Sequence, residues 1–149
     1  MQSSTNQLKP AILETFGDIA QAIGTHFDTY LSVVAQVLQQ ASIVTASSDV
    51  NIEMLDYIVS LREGIMDAWG GIVLSYKGKP QGKQVRNTVF VPCAKPSAVT
   101  QLQPFVESIF QLLHLISQDL NRSEGLMRAS MGVLGYVCHI EPSHACIYV

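Results

Sequence analysis

The chain has 149 residues, of which 48% are apolar and only 14% charged, against about 25% charged in an ordinary soluble domain. That length suits one domain. No run approaches the ~18 apolar residues of a membrane span, and a net charge of −3 does not suit nucleic acid.

In chain order, Pro10 suits a first helical turn, and Ile12, Phe16, Ile19, Ala20 and Ile23 recur at the helical period, predicting a helix over 8–23. Gly24 is a stop signal, and Thr25 is placed to cap a second helix over about 26–43. The buried stripe expected there is Phe27, Tyr30, Leu31, Val34, Val37, Leu38 and Ala41. So short a connection forces an antiparallel pair, 8–43. A polar loop at 44–50 offers Ser48 or Asp49 as the next cap, ahead of a third helix over 51–76. Its apolar stripe is Leu55, Ile58, Leu61, Ile65, Trp69 and Ile72, which makes Trp69 a core residue. Glu53, Asp56, Glu63 and Asp67 fall within about 80° of one another on the opposite side.

Two further helices are expected at 102–118 (Phe105, Ile109, Phe110, Leu113, Ile116) and 122–140. Between the third and fourth lies 77–100, rich in Lys, Pro and Gly, with a β-like run at Thr88–Val91. Loops of that length are unusual inside compact domains. Five of the nine basic residues (Lys77, Lys79, Lys83, Arg86, Lys95) fall in it. The remainder of the chain holds four basic against twelve acidic residues, a net of −8. An acidic scaffold of this kind suits basic partners.

The strongest pattern is a repeat. A large apolar residue, then Gly, then an apolar pair occurs at Phe16-Gly17, Trp69-Gly70 and Met131-Gly132. Each has an apolar residue four positions earlier (Ile12, Ile65, Met127) and an apolar or aromatic one seven later (Ile23, Tyr76, Cys138). Gly inside a helix costs about 1 kcal/mol against Ala, so its recurrence predicts a neighbouring helix crossing at close range. The spacing is 53 residues from Phe16 to Trp69 and 62 from Trp69 to Met131. Removing an insert of about 20 brings the second into the ~40–47 range of two-helix repeats. Helical repeats of this period stack into solenoids, which serve mainly as binding scaffolds.

At Leu8–Tyr76 and Gln103–Ile140 the chain resembles the C-terminal part of the importin-β (karyopherin-β) family of nuclear import receptors. The resemblance is carried by Phe16-Gly17-Asp18-Ile19-Ala20, Ala22-Ile23-Gly24, Tyr30-Leu31 and Leu38-Gln39-Gln40-Ala41-Ser42. It continues in Asp56-Tyr57, Leu61-Arg62-Glu63-Gly64, Gly71-Ile72-Val73 and Val133-Leu134-Gly135. It implies an all-α, HEAT-repeat (armadillo-like) right-handed superhelical solenoid of about two and a half antiparallel helix pairs. The first pair would be 8–43, the second 51–76 with 102–118 interrupted by the insert 77–100, and 122–140 would open a third. The tail 141–149 diverges from the family pattern, and the whole reads as one fragment of the receptor.

The implied function is protein binding in nuclear import, with importin-α or basic cargo signals as partners. Nucleoporin Phe-Gly repeats and the GTPase Ran are expected for an intact family member, which would shuttle between cytoplasm and nucleus. A generic HEAT or armadillo scaffold outside transport is the alternative. Three cysteines without framework spacing, and a start unlike a signal peptide, fit a reduced compartment. Cys138, His139, His144 and Cys146 match no common zinc spacing, and Gly78–Gln84 lacks a residue and a hydroxyl needed for a phosphate loop. No Gly-x-Ser-x-Gly elbow frames a nucleophile, and His26 and His114 read as packed or solvated helix residues. No enzyme activity, metal or other cofactor is expected. The candidate site is the row Glu53, Asp56, Glu63 and Asp67, whose carboxylates can meet Lys and Arg of an import signal.

Overall fold

The structure, a computed structural model, describes residues 9–44, 51–76 and 96–140. Among them are the helices α1 (Pro10–Ile23), α2 (Asp28–Ser42), α3 (Ile52–Tyr76), α4 (Pro96–Gln118) and α5 (Glu124–Ile140). A 3-10 turn, Gly24–Phe27, joins α1 to α2. Thr88–Val91 lies outside the described residues, and so do Ser48 and Asp49.

Helix α3 lies between α1 and α5 to form one layer, while α2 and α4 pair in a second layer resting on it. The first row is close because its contact lines are made of small residues. A Cβ placed on Gly71 would stand 2.5 Å from Gly17 Cα, and one on Gly64 would stand 2.8 Å from the Pro10 carbonyl oxygen. Either would force the helices apart. The expectation that repeat glycines mark helix crossings therefore holds at Gly17, whose Cβ would meet Asp67 and Ala68 backbone at 3.0–3.2 Å. At Gly70 an added Cβ would make ordinary contact with Val133, and at Gly132 it would meet nothing within 4 Å.

The first helix corrects the predicted stripe. Leu13, Gly17 and Ala20 are its buried residues, whereas Ile12, Ile19 and Ile23 are exposed. The isoleucines do follow the helical period, but α1 meets α3 along the neighbouring Leu13–Gly17–Ala20 line, and their own side is open. Gly24 ends the helix at φ +58, with its amide bonded to the Ala20 carbonyl, a backbone conformation that favours glycine. Thr25 does not cap α2. It falls in the 3-10 turn, and buried Phe27 occupies the cap position without a side-chain hydrogen bond. Tyr30, expected inside, is exposed.

At the start of the third helix Asn51 Oδ1 accepts from the Glu53 amide at 3.2 Å. From Ile58 onward α3 is buried on most sides, including Met66, Ala68 and Val73 beyond the predicted stripe, because helices flank it in both layers. Leu55 is only half-buried. Trp69 is in the core, its ring centroid 6.0 Å from that of Phe105. Arg62 is buried as well, and its Nη1 pairs with Asp119 in the turn after α4.

The fourth helix starts at Pro96, not at 102, so the end of the expected 77–100 insert is helical. Pro104 suits a first turn, as a start at 102 would have it, yet the helix runs through it. Leu102, Val106, Ile109, Phe110 and Ile116 then supply core side chains. Helix α5 starts where Ser123 Oγ accepts from the Leu126 amide at 2.9 Å. Among the described residues no helix is long and apolar enough to cross a membrane.

Candidate functional site

Across the surface of the α1–α3–α5 row runs a groove of about 560 Å³. Small residues line it, Gly17 from α1, Gly70 and Gly71 from α3, and Gly125, Ala129 and Gly132 from α5, and the α1–α3 crossing demands them at Gly17 and Gly71. Four carboxylates also line it, Glu14 and Asp18 from α1 and Glu63 and Asp67 from α3.

The predicted acidic row is therefore divided. Glu63 and Asp67 belong to the groove, while Glu53 and Asp56 are exposed in the first turns of α3 and line no part of it. Ten residues of helix separate Glu53 from Glu63, about 15 Å at the α-helical rise. A helical wheel places all four on one side but cannot show which end a neighbouring helix reaches. Glu14 and Asp18 were missed by that reasoning, although a signal existed. Glu14 stands three residues before Gly17 just as Asp67 stands three before Gly70, so the repeat brings both carboxylates to the same face.

The two inner carboxylates differ in what they do. Glu63 Oε2 accepts from Ser123 Oγ at 3.1 Å, so it joins the cap of α5 and sits at the favourable end of that helix dipole. Gly125 makes room for it, since a Cβ there would run into the Glu63 carboxyl. Asp67 is harder to ionise. Partial burial, then repulsion from Glu14 and from Glu63, raises its pKa above the ordinary value. A cation arriving in the groove would relieve that repulsion.

The basic residue lining the groove is Arg128, whose Nη2 is already 2.7 Å from Glu124 Oε1 one turn away. Both side chains are well exposed, so this pair contributes little and leaves the groove acidic. His114 is exposed on α4, its Nε2 3.0 Å from Gln118 Nε2, and His26 is exposed in the 3-10 turn. Cys138 is a half-buried free thiol, while His144 and Cys146 lie outside the described residues. Among the described residues no group of three or more His, Cys, Asp or Glu is arranged to hold a metal. What the groove offers chemically is a concave anionic surface with a floor that admits close approach.

A family model described as importin subunit beta-1-like, TPR repeats, matches residues 1–146. Importin subunit beta-1 of Schizosaccharomyces pombe is 40% identical over 144 residues, covering 95% of this chain and 15% of that protein. A crystal structure of importin beta in an ammonium sulfate condition superposes with a TM-score of 0.77 at 53% identity, covering 95% of this chain and 14% of the other. A structure of Kap95p, whose binding induces the switch loops of RanGDP to adopt the GTP-bound conformation, matches with a TM-score of 0.69 at 27% identity, over 90% of this chain and 14% of that one. The chain thus spans about 15% of the length of the curated relatives it matches. The fold is the all-α HEAT-repeat solenoid, with five α-helices among the described residues.

Proposed function

The chain belongs to the importin subunit beta-1-like family, and we propose that within it this arc is a protein-binding segment of a nuclear import receptor. The observation that carries the reading is the groove edged by Glu14, Asp18, Glu63 and Asp67. Lys and Arg of an extended basic segment, such as the importin-β-binding region of importin-α or a cargo signal, would lie along this edge. Four carboxylates steer such a segment in and set its register more than they add affinity. The raised pKa of Asp67 supports this: partial burial, then repulsion from Glu14 and Glu63, disfavours its charged form, and a cation in the groove would offset that penalty.

Affinity from one short arc should be weak, because contacts spread over many repeats add through effective concentration. Binding of this kind fits a receptor that shuttles between cytoplasm and nucleus, with Ran and nucleoporin Phe-Gly repeats acting on the longer protein, and involves no catalytic step. The test is a titration of this chain with the basic importin-β-binding segment of importin-α, at low and physiological salt, beside a scramble of equal charge. Selective binding that weakens steeply with salt supports the proposal. Equal binding of the scramble, or none, would leave a structural HEAT scaffold with no import role of its own.

A further inference from the structure

A cationic partner for the groove is encoded in the same chain. Residues 77–95, which lie outside the described residues, hold Lys77, Lys79, Lys83, Arg86 and Lys95 and no Asp or Glu. The rest of the chain carries a net of −8, and four of its carboxylates, Glu14, Asp18, Glu63 and Asp67, line one groove. The basic side chain lining that groove, Arg128, is already paired with Glu124. Five cations without a carboxylate among them thus share a chain with four clustered anions.

The fold sets both anchors of the basic segment at one end of the groove. Helices α1 and α5 run parallel to α3: Gly64 lies against Pro10 and Gly71 against Gly17, while Gly125 lies against Glu63 and Gly70 against Val133. The groove therefore follows α3 from Glu63 to Leu74, about 16 Å at the α-helical rise. Helix α3 ends at Tyr76, just beyond Leu74. Helix α4 returns antiparallel to it, since Tyr76 and Gln101 both bond Asp28, and Asp119 after the end of α4 pairs with Arg62. Ten residues lead from Tyr76 to Arg86 and ten more from Arg86 to Pro96, and each stretch spans up to ~33 Å when extended. Either one exceeds the length of the groove, even with the ~10 Å between packed helices added. Lys79, Lys83 and Arg86 are thus within reach of all four carboxylates, and the chain can still return to Pro96.

We propose that residues 77–95 dock in the acidic groove of their own chain, setting Lys79, Lys83 and Arg86 against Glu14, Asp18, Glu63 and Asp67. Tethering gives the segment a local concentration on the order of millimolar, so even weak charge pairing keeps the groove occupied. A lysine beside Asp67 also offsets the burial and the repulsion from Glu14 and Glu63 that disfavour its charged form. The consequence for binding rests on the import reading of the groove. A basic segment of another protein must displace the chain's own, and its apparent affinity falls with the fraction of chains whose groove is free.

The test is carbodiimide coupling of the full chain at low salt, which joins a lysine amine directly to a carboxylate it touches, with the links in the monomer mapped by mass spectrometry. Links from Lys79 or Lys83 to Glu14, Asp18, Glu63 or Asp67 should outnumber those to the exposed Glu53 and Asp56, and should fade at high salt. Links shared evenly between the two sets, or none to the groove, would overturn the docking. A second arm titrates the full chain and its triple variant Lys79→Gln, Lys83→Gln, Arg86→Gln with the basic importin-α segment, after circular dichroism shows equal helicity. The variant should bind several-fold more tightly, and equal or weaker binding overturns the competition. Groove-directed links in a chain that does not bind the importin-α segment, with or without the substitutions, would keep the docking and sink the import reading alone. Should the variant fail to fold, the coupling pattern of the unmodified chain decides.

Discussion

At the scale of single residues, the two perturbed carboxylates act in opposite senses. The Asn121 amide and the Arg62 guanidinium hold the Asp119 carboxyl below its ordinary range, so its ionised form stabilises the fold above the unfolded value of 3.8 and that contribution fades as pH falls below it. Removing this partner strands Arg62, which is only 6% exposed. A fully buried pair broken in this way costs ~3 kcal/mol or more. Because the Asp119 side chain is 27% exposed, Asp119→Ala should cost about 2 kcal/mol in urea denaturation, and adding Arg62→Met should restore most of it. Asp67 is raised instead, by partial burial and by Glu14 and Glu63. The folded state then binds its proton more tightly than the unfolded one, and the penalty on its charged form is relieved as pH falls through the raised value. Asp67→Asn should stabilise the fold slightly at neutral pH, by about 0.5 kcal/mol or less, seen as a small rise in Tm, with the gain vanishing toward pH 3.8, the ordinary aspartate value.

At the scale of elements, one residue type has two meanings. Gly71 sits where α1 and α3 touch, and Gly132 sits over open space. Gly71→Ala gains helix propensity of about 1 kcal/mol but forces the helices apart, and overpacking of this kind costs about 1–3 kcal/mol or more. A net loss near 2 kcal/mol is expected. Gly132→Ala meets nothing and should stabilise by up to about 1 kcal/mol. Thermal unfolding of the two variants side by side measures the contrast, and equal effects would show that the crossing is looser than its geometry. A second tie joins elements far apart in sequence. Asp28 in the first turn of α2 accepts from Tyr76 Oη at 2.5 Å and from Gln101 Nε2 at 3.2 Å, so it draws together the end of α3 and the early part of α4. Burial, this hydrogen bond and the Asp28 charge together push the Tyr76 phenol well above its usual range, and it stays neutral and donating across the physiological window.

For the whole molecule, the acidic row predicted on one helix becomes a groove shared by three. Asp18→Asn with Asp67→Asn should weaken binding of the basic importin-α segment several-fold at low salt, while Glu53→Gln with Asp56→Asn should leave it nearly unchanged. Fluorescence titration separates the two pairs, and equal losses would mean that charge acts through net field alone. Glu63 is a poorer probe, because it also holds Ser123 at the start of α5. How the helices share these duties could be read only in part from residue order. Helical periodicity, Gly24 as a stop and the threefold Phe/Trp/Met-Gly pattern determined that the chain is a stack of helix pairs, since those signals are local in sequence. The same periodicity put Ile12, Ile19 and Ile23 inside, where the structure exposes them, and it set Glu53, Asp56, Glu63 and Asp67 on one side of α3 without showing that only the last two reach the groove. Burial and a shared groove depend on which neighbour covers which side of a helix. That was decided by the tertiary structure, where the Gly17–Gly71 crossing sets α1 against α3 and α5 packs on the other side of α3.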